Sequence, residues 1–331
     1  MIAQRRGDQP GSCGRQGRDA RAPGGLPPGR VAIIGPGRLG TVLAAGLAEA
    51  GHTIGSAGGG GEAARARFRS RFPAAVTVAD PAAAVVGADL VVVSTPDDAV
   101  ESVVTALVRG GAIHAGQRVV HVAGSLGLGP LRRAELSGAR VAACHPAQTV
   151  PNVDAAPDVL LGASWAVTAS HDNRGWAHAF VTHLGGIPHD VADGRRALYH
   201  AALVVGSNAV GAAVSVARQL LLAAGSDEPA IFLAGLTRES VDNVLARGAA
   251  AITGPVARAD VETLRRHLEA LEAEMPLLAP AYRALSLVIL GQVRARLDLE
   301  EAQAVEAALA SDSASSCSRP TNSGHSQTGE G

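Results

Sequence analysis

The sequence predicts an α/β fold in which a doubly wound parallel sheet precedes an all-helical domain, and three observations support this. Short β-branched apolar runs alternate with helix-like segments from Arg30 onward, the pattern of a parallel sheet covered on both faces. Strand patterns stop after Val191, and long apolar helical segments follow. The length of 331 residues suggests about two domains. We therefore expect a sheet domain over 30–192 and a helical domain over 193–310.

The two ends of the chain, 1–29 and 311–331, are predicted to be disordered tails because both have low-complexity sequences. The first tail also lacks the apolar segment of a secretory signal. The formal net charge is -1, and no basic patch lies outside this tail, which argues against a nucleic-acid partner. Apolar runs are interrupted before the ~20 residues that cross a bilayer, so no membrane partner is expected.

Cysteine and lysine usage narrows the chemistry. The 3 cysteines form no CxxC pair, so we expect neither a disulfide framework nor a metal site, and we expect a cytoplasmic protein. The chain contains no lysine, which excludes Schiff-base catalysis and a lysine proton donor.

The predicted elements follow in order. The strands are expected in RVAIIG, HTIGSA, VTVAD, DLVVVST, RVVHVAG, RVAACHP, SWAVTA and GGIPHDV, with helices such as RLGTVLAAGLAEAGH and DDAVESVVTALVRGG between them. The segment GRRALYHAALVVGSNAVGAAVSVARQLLLAAG predicts one long, largely buried helix. Three more helices and a short last one are expected after it, and Asp260 is well placed as the N-cap of the second of these.

The stretch IIGPGRLG joins the first strand to a helix and predicts a dinucleotide site. Gly35, Gly37 and Gly40 follow the GxGxxG spacing, with Arg38 and Leu39 between the last two. The first glycine permits the tight turn, the second admits a pyrophosphate, and the third lets the helix pack closely. A purely structural glycine turn is the alternative.

The end of the second strand predicts NADP(H) rather than NAD(H). An NAD site expects a carboxylate there for the ribose 2′-hydroxyl, but Ser56 stands in its place and Glu62 comes too late. Ser56, Arg38 and either Arg65 or Arg67 are candidates to bind a 2′-phosphate.

Further polar groups follow later strands. Ser94, Thr95 and Pro96 end the fourth strand and are expected to line the cofactor, although a helix start at Asp97 or Asp98 explains them equally. Two other strands carry histidines near their ends.

These histidines, His121 and His145, are candidate proton donors, because imidazole titrates near neutral pH. Gly124 and Ser125 follow the first of them and are expected beside the cofactor. A structural role for either histidine stays open. Cys144 precedes His145 and should point to the opposite face of the strand, which disfavours a Cys–His nucleophile.

The helical domain adds three candidate site residues. His200 and Asn208 lie eight residues apart, about two helical turns, and the Asn208 amide on a buried helix needs hydrogen-bond partners or a polar cleft. Arg258 follows the Thr253-Gly254-Pro255 turn and is free to meet an anion or a partner subunit.

Six motifs in order, GPGRLG, VSTPDDAV, VVHVAGSLG, CHPAQT, YHAALVVGSN and TGPVARAD, resemble a bacterial family that pairs a Rossmann-like domain with a C-terminal domain of unknown function, number 2520. The resemblance covers nearly all of 30–275. The family is similar to 6-phosphogluconate-dehydrogenase-like and pyrroline-5-carboxylate-reductase-like enzymes. This implies an NADP-type Rossmann domain and a 6-phosphogluconate-dehydrogenase C-terminal-like helical domain that often forms a homodimer.

The chain departs from these families at two points. Ala259 stands where the family usually has glycine, which predicts a backbone without positive φ. Counting back from Asn208 along the GxxxKxxxN motif of the hydroxyacid enzymes, Val204 takes the lysine position and His200 the glycine position.

We therefore expect an NADP(H)-dependent oxidoreductase whose small polar substrate, bearing a carboxylate or phosphate, binds in the interdomain cleft. His145, His121 or His200 would donate the proton, Asn208 would orient the substrate, and Arg258 would hold its anionic group. The alternative is a sensor or regulatory protein that binds NADP(H) without turnover.

Overall fold

The structure is a computed structural model, and it describes residues 26–150, 152 and 155–310. The predicted tails lie outside the described residues except for 26–29. Within this short stretch Leu26 is buried in the core of the sheet domain. The chain therefore packs against the domain from before the predicted boundary at Arg30.

All eight predicted strands are present in one sheet of order β3-β2-β1-β4-β5-β6-β7-β8. They are β1 (Arg30–Ile34), β2 (Thr53–Gly58), β3 (Val76–Val78), β4 (Leu90–Val93), β5 (Arg118–His121), β6 (Arg140–Pro146), β7 (Ser164–Ala169) and β8 (Ile187–Asp190). Every neighbouring pair is parallel except β6 and β7, which are antiparallel. Their connection contains one 3-10 turn (Pro157–Leu160) in its described part, consistent with antiparallel pairing, which needs no crossover helix.

The chain divides into two compact units, the first ending at Val205 and the second beginning at Gly206. The helices of the first unit are α1 (Arg38–Glu49), α2 (Glu62–Arg71), α3 (Pro81–Val85), α4 (Val100–Arg109), α5 (Arg132–Leu136), α6 (His171–His183) and α7 (Arg196–Val204). Those of the second are α8 (Val210–Ala223), α9 (Pro229–Arg247), α10 (Val261–Glu274), α11 (Ala279–Val293) and α12 (Leu299–Ala310).

The sheet is buried on both faces, as its continuous apolar strands predict. On β1, Ile33 packs in one core cluster and Ile34 in the other, because successive side chains point to opposite faces. On β4, Val92 and Val93 divide in the same way. The predicted fold class, a doubly wound sheet followed by helices, is confirmed.

The second unit has its own core, made by α10, α11 and α12 and the turn before α10. Its buried members are Val256, Leu264, Leu268, Leu290, Val293, Val305 and Leu309. The predicted N-cap is present, since the Asp260 carboxylate accepts a hydrogen bond from the Thr263 backbone N–H at 3.1 Å.

The long apolar helix differs from the prediction in two ways. A π-helical segment, Val205–Ala209, interrupts it between α7 and α8. The expectation of a largely buried helix is wrong: along α7, the π segment and α8, Arg196 is the one buried residue. By length and composition the 31-residue helical stretch Asp193–Ala223 could cross a membrane, but a single such helix is weak evidence for a membrane span.

The backbone at Ala259 also contradicts the sequence prediction. Ala259 has φ +52° and ψ +34°, in the left-handed region, and among the described residues it is the one non-glycine with positive φ. The turn before α10 therefore needs the conformation that glycine supplies, and alanine adopts it at a cost of about 1–2 kcal/mol.

We predict that Ala259→Gly stabilises the protein. Relief of the left-handed strain exceeds the greater chain entropy of glycine, roughly 0.5–1 kcal/mol, so the free energy of unfolding should rise by about 0.5–1 kcal/mol. Urea denaturation followed by circular dichroism measures this. The matched control Ala257→Gly, two residues earlier in the 3-10 turn Val256–Arg258, should lower stability instead. A loss of stability in Ala259→Gly would contradict the prediction.

Candidate functional site

The glycine loop between β1 and α1 is braced by the end of β4. The Ser94 hydroxyl donates a hydrogen bond to the Gly35 carbonyl oxygen at 2.6 Å. Gly35 has φ +90°, and a Cβ on it would lie 2.8 Å from the Ser94 carbonyl oxygen. A Cβ on Gly40 would collide with the Gly35 carbonyl oxygen and the Ser94 hydroxyl. Packing within the protein therefore requires the first and third glycines, and Ser94 supports the loop.

The second glycine leaves open space. A Cβ on Gly37 would have no neighbouring atom within 4 Å. Helix α1 begins at the next residue, the exposed Arg38, so the first backbone N–H groups of the helix lie beside this space. The Leu39 side chain packs against the core and leaves only its backbone to a ligand. An anion is stabilised at such a helix start.

The residues after β4 add a polar group that lacks a partner. Thr95 Oγ1 is buried without a hydrogen bond among the described residues. Pro96 precedes the 3-10 turn Asp97–Ala99, so the alternative helix-start interpretation of this stretch also holds. Asp97 accepts a hydrogen bond from the Ser125 hydroxyl at 2.9 Å, which links this turn to the loop after β5.

The end of β2 contradicts the expectation for Ser56. The strand continues to Gly58, so Ser56 lies within it and is buried. Its hydroxyl donates to the Ala84 carbonyl oxygen at 2.5 Å. The predicted contact of Ser56 with a 2′-phosphate is therefore wrong, because the side chain is buried and its hydroxyl is hydrogen-bonded within the domain.

A glycine turn and an arginine lie at the true end of β2. Gly59 and Gly60 both have positive φ, and the Arg65 guanidinium donates to their carbonyl oxygens. Glu62, the next carboxylate along the chain, forms ion pairs of 2.8 Å with both Arg65 and Arg69. These arginines lower the pKa of Glu62. Asp80 also lies near, since its carbonyl oxygen would be 3.4 Å from a Cβ on Gly58, so two arginines and two acidic residues occur around this strand end.

His121, the last residue of β5, is a structural histidine. It is fully buried. Its Nε2 lies 2.7 Å from the Gly127 carbonyl oxygen, and its Nδ1 accepts a hydrogen bond from the Ala123 N–H at 3.2 Å. Both ring nitrogens are therefore used by the backbone of the following loop. This contradicts the assignment of His121 as a proton donor.

His145, near the end of β6, differs in having one free ring nitrogen. Its Nδ1 lies 3.1 Å from the Tyr199 hydroxyl of α7. Its Nε2 makes no hydrogen bond to any residue that the structure describes. His145 as a whole is half-buried, in contrast to the fully buried His121. Sequence reasoning identified His145 but missed Tyr199, since no local signal connects residues 54 positions apart.

His200 packs beside His145. The two rings meet edge to face, with centroids 5.6 Å apart. Gly124 makes room for them, because a Cβ there would collide with the His200 ring and lie 3.0 Å from His145 Nε2. The structure thus brings His145, His200 and Gly124, three of the candidate site residues, together at one edge of the sheet.

Arg196, at the start of α7, is the second residue that sequence reasoning missed. Its guanidinium is buried and donates to three carbonyl oxygens, those of Ala123 (2.6 Å), Leu126 (3.0 Å) and Ala166 (3.1 Å). Its Cζ lies 5.6 Å from the centroid of the Tyr199 ring. The one feature of the sequence that could have indicated Arg196 is its position at the start of an unusually apolar helix.

Burial and the Arg196 charge set the protonation of the site. Burial is the main cause that lowers the pKa of His121 to about 4, and the charge of Arg196 contributes. The same two causes, in the same order, lower the pKa of His145 to about 4, and His200 adds to the effect. Both imidazoles are therefore neutral at pH 7, and His145 can offer a neutral N–H group rather than a cation.

The two remaining candidates lie in the second unit. Asn208 belongs to the π segment and is exposed, so the expectation that it sits on a buried helix is wrong. Arg258 ends the 3-10 turn before α10 and is exposed, with no ion pair among the described residues. Their predicted roles stay predictions.

We predict that the protein loses stability as the pH falls from 7 to 5. His121 and His145 bind protons near pH 6.5 when unfolded but only near pH 4 when folded, so acid favours the unfolded chain. The full shift corresponds to on the order of 3 kcal/mol at each histidine. Urea denaturation at several pH values measures the slope. His145→Gln should reduce it and the exposed control His171→Gln should not; equal slopes in all three proteins would contradict the prediction.

Comparison with known proteins places both parts of the chain. Residues 19–146 match the Rossmann-like domain family, and residues 163–289 match the domain of unknown function DUF2520. No curated protein matches the chain.

Three solved structures have a similar fold. A protein from Bacteroides fragilis, provisionally assigned as an NADP oxidoreductase, is 24% identical over 79% of this chain and 98% of its own, with a TM-score of 0.65. An imine reductase from Myxococcus stipitatus in complex with NADP⁺ is 19% identical over 80% and 94%, with a TM-score of 0.59. A reductive aminase from Aspergillus terreus in complex with NADPH and ethyl-5-oxohexanoate is 17% identical over 85% and 99%, with a TM-score of 0.59.

At these identities the solved structures establish the fold alone, and the family assignment comes from the two domain matches, which confirm the resemblance that the six motifs indicated. The chain therefore combines a Rossmann-like domain with a C-terminal DUF2520 domain.

Proposed function

We propose that the protein is an NADP(H)-dependent oxidoreductase that reduces a C=O or C=N group in a small polar substrate bearing a carboxylate or phosphate. The observation that carries this is one shared sheet edge. The glycine loop follows β1 and His145 lies near the end of β6, and both strands belong to the parallel run of the sheet. Ligands of such sheets bind beyond the carboxyl ends of the strands.

The residues of the loop fit a dinucleotide. The open space at Gly37 and the start of α1 suit a pyrophosphate, while the unpaired Thr95 Oγ1 offers a hydrogen bond beside them. Arg65 at the end of β2, with Arg38 and Arg67 as further candidates, suits a 2′-phosphate, which favours NADP(H) over NAD(H). The two cofactor-bound fold neighbours support the same choice.

The chemistry divides between cofactor and protein. NADPH supplies a hydride when it is bound. His145 donates a hydrogen bond from Nε2 to the oxygen or nitrogen of the group being reduced and passes that proton to it, and the imidazole regains a proton from solvent. His200 lines the same space, Asn208 orients the substrate, and Arg258 binds its anionic group.

We also propose that the protein acts in the cytoplasm as a homodimer joined through the helical domain. Helix α9 exposes large apolar side chains: Ile231 at 68%, Phe232 at 64%, Leu236 at 66% and Leu245 at 80%. Ile231, Phe232 and Leu236 lie within two turns of the helix, and exposed large apolar side chains grouped in this way often mark an interface. A second copy of the same surface would remove it from water.

We predict that Gly37→Ala weakens NADPH binding without loss of stability. The new methyl group meets no protein atom but occupies the space assigned to the pyrophosphate, so the Kd should rise about tenfold or more. Quenching of intrinsic fluorescence measures the Kd. Gly129→Ala, which also meets no protein atom, is the matched control and should bind NADPH normally. Equal affinity in both variants would contradict the cofactor assignment.

We predict that His145→Ala lowers the turnover of NADPH by about 100-fold or more, because the donor to the reacting group is lost. NADPH affinity should stay within a few-fold, and Asn208→Ala should behave alike. Oxidation of NADPH, read at its near-ultraviolet absorbance, is measured with a panel of keto acids, imines and aldehydes. The exposed His171→Ala is the control. Full activity in both site variants would exclude the site, and tight binding without oxidation by the wild type would favour the alternative sensor.

We predict that Phe232→Asp converts a dimer to a monomer, because a carboxylate would have to be buried in the apolar interface. Light scattering coupled to size exclusion measures the mass. Leu277→Asp is the control, since Leu277 is 92% exposed in the connection between α10 and α11 and lies off the α9 surface. A monomeric wild type would contradict the proposal.

A further inference from the structure

We propose that Tyr199 is a positioning residue that holds the proton of neutral His145 on Nε2, so that Nε2 is the hydrogen-bond donor to the substrate. The inference deepens the proposed function and rests on it. It assigns a role to a side chain that the motifs did not single out, and it selects one of two neutral forms of the imidazole. In neutral histidine one ring nitrogen carries the proton and the other accepts, and the partner of one nitrogen decides which.

The direction of the Tyr199–His145 hydrogen bond follows from the surroundings of the phenol oxygen. The two groups lie 3.1 Å apart. Burial raises the pKa of the Tyr199 phenol, so the hydroxyl keeps its proton at neutral pH and can donate it. As a partly buried donor, the hydroxyl needs an acceptor. Within the part of the chain that the structure describes, His145 Nδ1 is the one available to it.

The charge of Arg196 supports the same arrangement. Its guanidinium carbon lies 5.6 Å from the centroid of the Tyr199 ring, over the face of the phenol, where a cation is attracted to the ring. Because the guanidinium is held by three carbonyl oxygens, it cannot move towards a substrate. It therefore holds the Tyr199 ring in place while leaving the hydroxyl to His145.

Neighbouring rings prevent His145 from turning. Tyr199 meets it edge to face, with centroids 5.9 Å apart at 81°, and His200 does the same on another side at 5.6 Å and 89°. Gly124 lies against Nε2, and the His200 ring fills the place where a Gly124 side chain would be. The His145 ring is thus held by contacts on several sides, and Nε2 is its one nitrogen without a hydrogen-bond partner among the described residues.

His121 illustrates the opposite outcome on the neighbouring strand. Its Nε2 is bound to the Gly127 carbonyl oxygen and its Nδ1 to the Ala123 N–H, so both nitrogens are satisfied within the protein. In His145 only Nδ1 is satisfied, and the satisfied nitrogen is the one that faces Tyr199. The two histidines therefore differ at Nε2, which has a partner in His121 but none among the described residues in His145.

The position of the proton is measured directly by nitrogen NMR on the full-length protein at pH 7, with His145 assigned by its absence in His145→Gln. The expected result is a protonated-type shift at Nε2 and an unprotonated-type shift at Nδ1. A proton on Nδ1 would overturn the proposal. This measurement requires neither a substrate nor turnover.

Tyr199→Phe keeps the ring and the cation over it but removes the hydroxyl. We expect His145 to populate both neutral forms and kcat to fall about 10- to 100-fold with KM nearly unchanged, because a group that acts through another has been lost. An unchanged ratio of the two forms would overturn the proposal. Tyr282→Phe is the matched control, since the Tyr282 hydroxyl lies 2.8 Å from His267 Nδ1 in the second unit. It should leave the His145 nitrogen shifts unaltered.

The two proposals fail in distinguishable ways. If the wild type oxidises no NADPH with any compound of the panel, the proposed function fails, and the nitrogen shifts still decide where the proton lies. If turnover is found and Tyr199→Phe retains the wild-type kcat, the positioning role fails while the oxidoreductase assignment stands.

Discussion

The buried guanidinium of Arg196 is the interaction on which the site of the first unit depends. A buried cation without a carboxylate partner is costly unless other groups replace its water, and here three backbone carbonyl oxygens do so. Two of them, from Ala123 and Leu126, belong to the loop after β5, and the third, from Ala166, belongs to β7. One side chain therefore ties the loop and the far side of the sheet to the start of α7. Loss of any of these three hydrogen bonds would leave the buried charge of Arg196 less well stabilised.

Arg196 influences both the position and the protonation of His145. Because α7 starts at Arg196, the next turn of the helix carries Tyr199 and His200 to His145. Because the ring is buried and the positive guanidinium lies close to it, protonation of His145 is disfavoured. The site thus holds a neutral imidazole, which can donate a hydrogen bond to a group that gains negative charge.

Local rules were sufficient for the parts of the fold that depend on neighbouring residues. The eight strands, the glycine loop and the Asp260 cap follow from short patterns of apolar, glycine and capping residues. The prediction for Ser56 is wrong because it rests on the usual position of the acidic residue after the glycine loop, whereas the strand here pairs with β1 and β3 as far as Gly58. The prediction for Ala259 is wrong because alanine in place of glycine does not show, in sequence, whether the backbone keeps the left-handed conformation.

Local sequence patterns cannot predict the partners of Arg196 and Tyr199. Carbonyl oxygens belong to every residue, so no motif marks the three that hold Arg196, and Tyr199 meets a strand far away in sequence. Sequence reasoning could find His145 from its position after a strand, but it could not separate His145 from His121. The distinction requires knowing which ring nitrogens the folded backbone uses.

The long apolar helix shows a second limit of prediction from sequence. The proposed site contains one residue with described partners, His145, and one without, Asn208. Apolar composition predicts removal from water but does not say which chain covers the helix, and the described residues bury none of an 18-residue apolar window within Asp193–Ala223. Asn208 lies in the exposed π segment of this helix, and π segments often mark functional positions. His145 has its partners within the first unit, so its protonation is fixed by the single chain. The Asn208 side chain has no hydrogen-bond partner among the described residues, and its proposed role therefore depends on what covers the helix.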